Sequence, residues 1–177
     1  ELNWTAVDDA AKWERRFFEI MDQLLFLPNS PTLMNAGASS NQLSACFVLP
    51  VEDHLADIFK TLTLAALIQQ SGGGTGFNFS HLRPKNDVLN RTQGTASGPV
   101  SFMKIFDTAT EHVKQGGKRR GANMGIINID HPDIEEFIGS KRVEGNLKNF
   151  NISIGISDTF MKALEQDSDW QLVHPNT

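Results

Sequence analysis

The spacing of apolar residues predicts one N-terminal helix followed by strands and helices in alternation. Apolar positions at helical spacing between about residues 5 and 27, among them Trp13, Phe17 and Leu24, predict an amphipathic helix whose apolar face joins a core. Pro28 ends this pattern, because proline lacks the amide hydrogen that a continuing helix needs.

The remaining pattern is typical of a parallel α/β fold. Residues 46–49 form an apolar run that predicts a short buried strand, and residues 56–70 predict a helix that is apolar on nearly every side. Asp53, Ser97 and Asp158 stand where helix N-caps are expected. Further predicted strands contain Phe77 and Phe79, Met124–Ile129, Asn151–Ile156 and Trp170–Val173, and further predicted helices begin near Pro99, Asp133 and Asp158.

Composition narrows the class of protein. The 177 residues are 40% apolar and 21% charged, which suits a folded chain rather than a disordered one. The net charge of -5 argues against nucleic-acid binding through a basic surface. No apolar run approaches a membrane span and no leader pattern is visible, so we expect a cytoplasmic protein without a membrane partner. The five histidines are scattered, and no metal site is predicted.

Cys46 is the single cysteine of the chain, so the chain cannot form an internal disulfide. A lone cysteine in an apolar run is more often a small core residue than a reactive thiol. On the local sequence alone the structural interpretation is therefore favoured.

Two polar segments have both a structural and a functional interpretation. The run from Gly72 to Gly76 could be a helix C-cap and turn, or a backbone surface that approaches a ligand. It follows a helix and precedes a strand, so it is neither a Rossmann fingerprint nor a phosphate-binding P-loop. Residues 115–123 place three adjacent cations among glycines, which suits either a solvated loop or an anion-binding loop.

Three blocks of the sequence together resemble the catalytic chain of ribonucleotide reductase. They are Asn29–Gly37 with Ser44-Ala45-Cys46, Gly72–Asn78, and Gln115–Ala122. The resemblance runs from about residue 27 to the end of the chain. The wording of the second and third blocks, and of Ala96–Lys104, is similar to the adenosylcobalamin-dependent (class II) branch, and the class I large subunit is the alternative.

The resemblance implies a fold, a reaction and partners. Residues 28–177 would form about the first half of a ten-stranded α/β barrel, preceded by a helical segment at residues 1–27. The reaction would be radical reduction of a ribonucleoside di- or triphosphate to the deoxyribonucleotide. It would use adenosylcobalamin and a dithiol reductant such as thioredoxin. A nucleoside triphosphate effector is implied, and a homodimer is allowed.

The resemblance also assigns the substrate site. Cys46 matches the first cysteine of the redox pair, whose partner would lie outside this chain. Thr32, Ala45 and Gly74 match positions that line the substrate. The family often has serine where this chain has Ala45, so a contact there would come from the backbone.

The resemblance assigns the control of specificity to two further groups. Asp53 and Arg83 match the effector site, with Asp53 on the ribose and Arg83 on the triphosphate. Gln115 and Arg119 match the loop that relays the identity of the effector to the substrate base.

Two rival interpretations stay open at this point. One is a non-catalytic nucleotide-binding module in which Cys46 is inert, and the other is a structural α/β domain. Both ends of the chain look cut, and in the family the radical cysteine lies further along. We therefore expect the 177 residues alone to have no reductase activity.

Overall fold

The computed structural model describes residues 7–39, 41–89, 94–113 and 121–176. The chain divides into two compact units, Glu1–Leu43 and Ser44–Thr177.

The N-terminal unit contains two helices, α1 (Val7–Asp22) and α2 (Ser30–Asn35). Helix α1 ends five residues earlier than predicted, and Leu24 beyond it has a left-handed φ of 57°. The apolar face that was expected to join a core is largely exposed, since Phe17 is 54% exposed. Asn29 caps α2 by accepting a hydrogen bond from the amide of Thr32 at 2.9 Å.

The second unit confirms the predicted parallel α/β architecture. Its described strands are all parallel, in the order β1-β2-β3-β4, with helices in the crossovers. The elements are β1 (Cys46–Leu49), α3 (Leu55–Gln70), β2 (Gly74–Asn78), α4 (Pro99–His112), β3 (Asn123–Asn128), α5 (Ile134–Gly139), β4 (Phe150–Gly155) and α6 (Asp158–Glu165).

Three predicted N-caps were wrong by one residue. His54 precedes α3 in place of Asp53, and Gly98 precedes α4 in place of Ser97. Gly98 has a φ of 77°, and a Cβ there would lie 2.9 Å from both Lys85 and the carboxylate of Asp133, so only glycine fits. The third helix, α6, is capped by Ser157 rather than by Asp158.

The predicted strand at residues 170–173 was also wrong. The amide of Val173 donates to the carbonyl of Asp130 at 2.7 Å, and the indole of Trp170 lies 3.3 Å from the carbonyl of Ile129. These two hydrogen bonds attach the segment to the turn that follows β3. The segment is therefore held by individual bonds and not by pairing with a strand.

One face of the sheet carries the core. Side chains of β2 and β3 alternate between buried and less buried positions, as expected of a sheet that is covered on one side. The rings of Phe77, Phe79, Phe106 and Phe150 form the centre, with the Phe77 and Phe106 centroids 4.8 Å apart. The opposite face presents Cys46, Val48, Gly74, Gly76 and Met124.

Candidate functional site

Two grooves lie at opposite ends of the same strands. The first, which we call the thiol groove, lies at the amino ends and has a volume of about 410 Å³. Its lining comprises Ala45–Val48, Gly72–Gly76, Ala122–Met124 and Asn151. The second, the ion-pair groove, lies beyond the carboxyl ends of β1 and β2 and has a volume of about 690 Å³. In open parallel sheets ligands favour the carboxyl ends, so the thiol groove occupies the less usual end.

Cys46 is exposed, so the prediction that its strand is buried was wrong. The reason is that Cys46 lies on the sheet face opposite the core, on a strand at the edge of the sheet whose described partner is β2 alone. Cys46 lies opposite Gly74 in the register, and Val48 on the same face is 85% exposed. A cysteine in this position is accessible to a reactant, which removes the main reason for treating it as a core residue.

The glycine run from Gly72 to Gly76 forms a helix C-cap and also contributes backbone to the thiol groove. Gly72 has a φ of 97°, and the amides of Gly72 and Gly73 donate to the carbonyls of Gln69 and Ile68, which is the pattern of a helix C-cap. A Cβ on Gly73 would lie 2.7 Å from Ile68, so packing requires that glycine. All four glycines also line the thiol groove, and Gly74 and Gly76 do so from within β2, beside Cys46 and Val48 in the register.

The wall of the thiol groove beside Cys46 is built from backbone. The amide of Gly74 donates to the carbonyl of Ala45 at 2.7 Å, and the amide of Thr75 donates to the carbonyl of Ala122 at 3.2 Å. Ala45 carries only a methyl side chain, so a polar contact with a ligand there must come from its main chain.

A network of buried polar side chains lies beneath this wall. The amide nitrogen of Gln69 lies 3.0 Å from the hydroxyl of Thr75, 3.1 Å from that of Thr110 and 2.8 Å from the side-chain oxygen of Asn123. Sequence reasoning missed this network. A signal existed, because Gln69 falls on the same inward face of α3 as Ala65 and is a polar residue where an apolar one is expected.

Asp53 and Arg83 form the ion pair that names the second groove. Nε of Arg83 lies 2.8 Å from Oδ2 of Asp53, and the amide of Arg83 donates to Oδ1 of the same carboxylate at 3.1 Å. The side chain of Asp53 is 18% exposed and that of Arg83 is 34% exposed, so solvent screens the pair only in part. The structure therefore brings together two residues that the resemblance assigned to one ligand.

The last described residues also reach this region. The side-chain amide of Asn176 donates to Oδ2 of Asp53 at 2.8 Å, and a ring nitrogen of His174 lies 3.3 Å from Oδ2 of Asp87. Sequence reasoning missed both contacts, because residues separated by more than eighty positions give no local signal.

The other predicted site residues are not part of either groove as described. Thr32 belongs to the N-terminal unit, where its hydroxyl lies 2.8 Å from Oδ1 of Asn29 and 2.9 Å from the carbonyl of Leu43. Gln115 and Arg119 lie outside the described residues.

The described part of the chain contains neither a metal-binding cluster nor a membrane-spanning helix. Within residues 7–39, 41–89, 94–113 and 121–176, no group of three or more histidine, cysteine, aspartate or glutamate residues is arranged to hold a metal ion. Over the same ranges no helix is both long and apolar enough to cross a bilayer.

Comparison with known families decides the identity of the fold. Residues 44–177 match the model of the ribonucleotide reductase barrel domain, and residues 3–41 match that of the all-alpha domain of the same enzyme. The chain belongs to the ribonucleotide reductase family. The family resemblance read from the three sequence blocks is thereby confirmed.

Individual relatives point to one branch of this family. The chain is 62% identical over 169 residues to the vitamin B12-dependent ribonucleoside-diphosphate reductase of Thermoplasma acidophilum, covering 95% of this chain and 22% of the relative. It is 49% identical over 167 residues to the enzyme of the same name from Mycobacterium tuberculosis, covering 94% and 24%. Identity to the ribonucleoside-diphosphate reductase subunit alpha of Chlamydia trachomatis is 30% over 172 residues, covering 95% and 16%. The chain thus spans less than a quarter of these relatives' length.

The exposure of Cys46 predicts the reactivity of its thiol. We expect the folded 177-residue chain to react with a thiol-specific disulfide reagent without denaturant, releasing one equivalent of chromophore per chain, because the side chain lies on the uncovered sheet face. A Cys46→Ser chain supplies the blank. If the thiol of the parent became reactive only after unfolding, the described position of β1 would be wrong.

Proposed function

We propose that the chain is part of the catalytic chain of a vitamin B12-dependent ribonucleotide reductase, which reduces ribonucleotides to 2′-deoxyribonucleotides for DNA synthesis. The observation that carries the proposal is the exposed thiol of Cys46 in a groove whose opposite wall is glycine backbone. Such a wall lets a substrate approach the main chain closely, while the thiol stands within the same cavity. Family membership supplies the reaction class.

The proposed reaction needs two thiols. Replacing the 2′-hydroxyl of the ribose by hydrogen consumes two electrons and two protons and releases water. Two cysteine thiols supply both when they are oxidised to a disulfide. Cys46 is the single cysteine of this chain, so its partner belongs to another part of the full-length enzyme. An external dithiol such as thioredoxin would reduce the disulfide after each turnover.

The substrate assignments follow from the resemblance and the thiol groove. Gly74 and the main chain of Ala45 would contact the ribose and phosphates beside Cys46, and both residues line the groove. Thr32, Gln115 and Arg119 keep their assigned roles as substrate-binding residues, with Gln115 and Arg119 reading the base.

The ion-pair groove is the proposed site of a nucleoside triphosphate effector. The carboxylate of Asp53 suits the hydroxyl groups of a ribose, and the guanidinium of Arg83 suits a triphosphate. Nε of Arg83 is bonded to Asp53, which leaves the terminal nitrogens of the guanidinium as phosphate donors without breaking the pair. Ser97 and Gly98 line the same groove.

The cofactor is proposed on the resemblance of the sequence blocks and on the names of the relatives. Adenosylcobalamin supplies the radical chemistry that starts such a reduction. The lining of the thiol groove carries one thiol among apolar and uncharged polar side chains, which suit a nucleotide, and no described residue is assigned to a corrin ring. Identities of 62% and 49% to vitamin B12-dependent enzymes, against 30% to a subunit alpha, favour the class II branch over class I.

The groove at Cys46 also weighs against the rival without catalysis. A pure nucleotide-binding module would need the ion-pair groove but would have no use for an accessible thiol beside glycine backbone. The activity of the full-length enzyme decides between the two.

The proposed redox role of Cys46 predicts the behaviour of a serine variant of the full-length enzyme. We expect Cys46→Ser to abolish multiple turnover with a dithiol reductant, because serine cannot enter a disulfide, while substrate affinity stays within about twofold, because the two side chains have similar size. Turnover is measured as deoxyribonucleotide formed, and affinity by equilibrium binding. The 177-residue chain alone should be inactive.

A labelling experiment gives this prediction its control. After turnover of the parent enzyme without reductant, Cys46 should resist alkylation until a dithiol is added, and peptide mapping should find it in a disulfide. A Cys46→Ser enzyme that turned over at the parental rate, or a Cys46 that stayed alkylatable throughout, would contradict the proposed redox role.

The proposed effector site predicts the behaviour of an alanine variant at Arg83. In the full-length enzyme Arg83→Ala should weaken the binding of deoxynucleoside triphosphate effectors by roughly 10- to 100-fold, because charge-assisted hydrogen bonds to phosphate are lost. Isothermal titration calorimetry measures the dissociation constants. Lys85→Ala is the matched control, since Lys85 is a nearby cation that pairs with Glu136 at 3.0 Å outside the groove lining. Equal losses in the two variants would refute the effector assignment.

We also propose that the enzyme forms a homodimer through α3. The outer face of this helix carries Leu55, Phe59 and Leu67, which are spaced four and eight residues apart and are 60%, 46% and 57% exposed. Exposed apolar rows of this kind mark protein interfaces more often than free surface. A second copy of the chain offers the same row, as a twofold interface requires.

The dimer proposal predicts that Phe59→Glu shifts the full-length enzyme from dimer to monomer, because a carboxylate cannot be buried unpaired in an apolar interface. Sedimentation equilibrium measures the mass. Ile138→Glu is the matched control, since it places the same charge at an exposed apolar position on α5. A parent enzyme that is monomeric, or a Phe59→Glu enzyme that stays dimeric, would contradict the proposal.

A further inference from the structure

We infer that Gln69 is a positioning residue for the thiol groove: its side-chain amide holds in place the glycine backbone that faces Cys46. The inference rests on the proposed function, because it assigns the substrate to this groove. It goes beyond that function by giving a role to a residue that touches neither the substrate nor the thiol.

The side-chain amide of Gln69 is fully supplied with acceptors. The amide nitrogen of Gln69 has two hydrogens and three acceptors within 3.1 Å, on Thr75, Thr110 and Asn123. The hydroxyl of Thr75 donates to Oδ1 of Asn123 at 2.8 Å, and the side-chain amide of Asn123 donates to the hydroxyl of Thr110 at 2.8 Å. Gln69 therefore occupies the centre of a closed set of bonds.

All four side chains are removed from water. Gln69 and Asn123 are each 2% exposed, and Thr75 and Thr110 are each 4% exposed. A hydrogen bond is strong in such surroundings, and a partner that is left unsatisfied is costly. The four residues consequently act as one rigid unit that joins α3, β2, α4 and β3.

The glycine run needs this support. Between Gly72 and Gly76, Thr75 is the one residue with a side chain, and that side chain is used entirely by the network. Glycine backbone is intrinsically free to change conformation, and the run has no other side chain that could fix its position. Gln69 lies in the last turn of α3, immediately before the run, and anchors it to the helix.

The network is also connected directly to the position of Cys46. Gly74, next to Thr75, donates its amide to the carbonyl of Ala45 at 2.7 Å and lies opposite Cys46 in the register. A displacement of Thr75 must move Gly74 and hence the wall that faces the thiol. The surroundings leave little slack, because a Cβ on Gly121 would lie 2.8 Å from Thr110 and 3.3 Å from Oε1 of Gln69.

The inference predicts a selective loss of substrate turnover in the full-length enzyme. Gln69→Met keeps the length of the side chain and removes its hydrogen bonds. We expect kcat/KM for ribonucleotide reduction to fall by roughly 10- to 100-fold, because a misplaced groove wall disturbs the alignment of the ribose with the thiol. The dissociation constant of a deoxynucleoside triphosphate effector should change less than about twofold, because the ion-pair groove lies at the opposite ends of the strands.

Thr61→Val is the matched control. Thr61 is also a buried polar residue of α3, and its hydroxyl donates to the carbonyl of Pro50 at 2.7 Å, away from the thiol groove lining. It should lower the melting temperature, because one buried hydrogen bond is lost, and leave kcat/KM near that of the parent. A Gln69→Met enzyme whose kcat/KM matches that of Thr61→Val, or whose effector binding is lost in proportion to turnover, would show that Gln69 is merely structural.

The same assays separate this inference from the proposed function. If the parent enzyme reduced no ribonucleotide under any condition, the proposed function itself would fail. If the parent is active and Gln69→Met retains parental kcat/KM, the proposed function stands and the positioning role is overturned.

Discussion

The register between β1 and β2 is the constraint on which both grooves depend. Cys46 lies opposite Gly74, and the amide of Gly74 bonds to the carbonyl of Ala45 at 2.7 Å. A slip of one residue would turn Cys46 toward the helices and bring Phe47 to the open face, because side chains alternate along a strand. Phe47 packs toward α3, where a Cβ on Gly73 would lie 2.8 Å from its ring, so this packing favours the observed register.

The same two strands connect a groove at each of their ends. β1 begins with Cys46 and is followed by Asp53, and β2 begins with Gly74 and is followed by Arg83. Parallel pairing places like ends side by side, so the thiol meets the glycine backbone at one edge while the carboxylate meets the guanidinium at the other. The two grooves, which are the proposed substrate and effector sites, are in this way held apart on one sheet.

Much of the fold could be predicted, and the errors share a cause. Hydrophobic periodicity predicted the parallel α/β order because it reports which face of each element is buried. It misjudged the N-terminus of α3, where the carboxylate of Asp53 bonds to Arg83, a residue 30 positions away, instead of capping the helix. It also predicted a strand at residues 170–173. This segment is instead attached by individual hydrogen bonds to the turn that follows β3. Patterns of local sequence contain no information on such distant partners.

The sequence by itself determined that this chain carries one thiol, a glycine run between a helix and a strand, and the order of elements of a parallel sheet. The resemblance in its motifs was enough to indicate the family. Only the tertiary structure decided that Cys46 is exposed, that Asp53 and Arg83 form a pair, and that Gln69 joins four elements beneath the glycine backbone. The physical reason is that exposure at a sheet edge and hydrogen bonds across 30 to 54 residues depend on which strands become neighbours, and pairing between distant strands is a property of the folded chain.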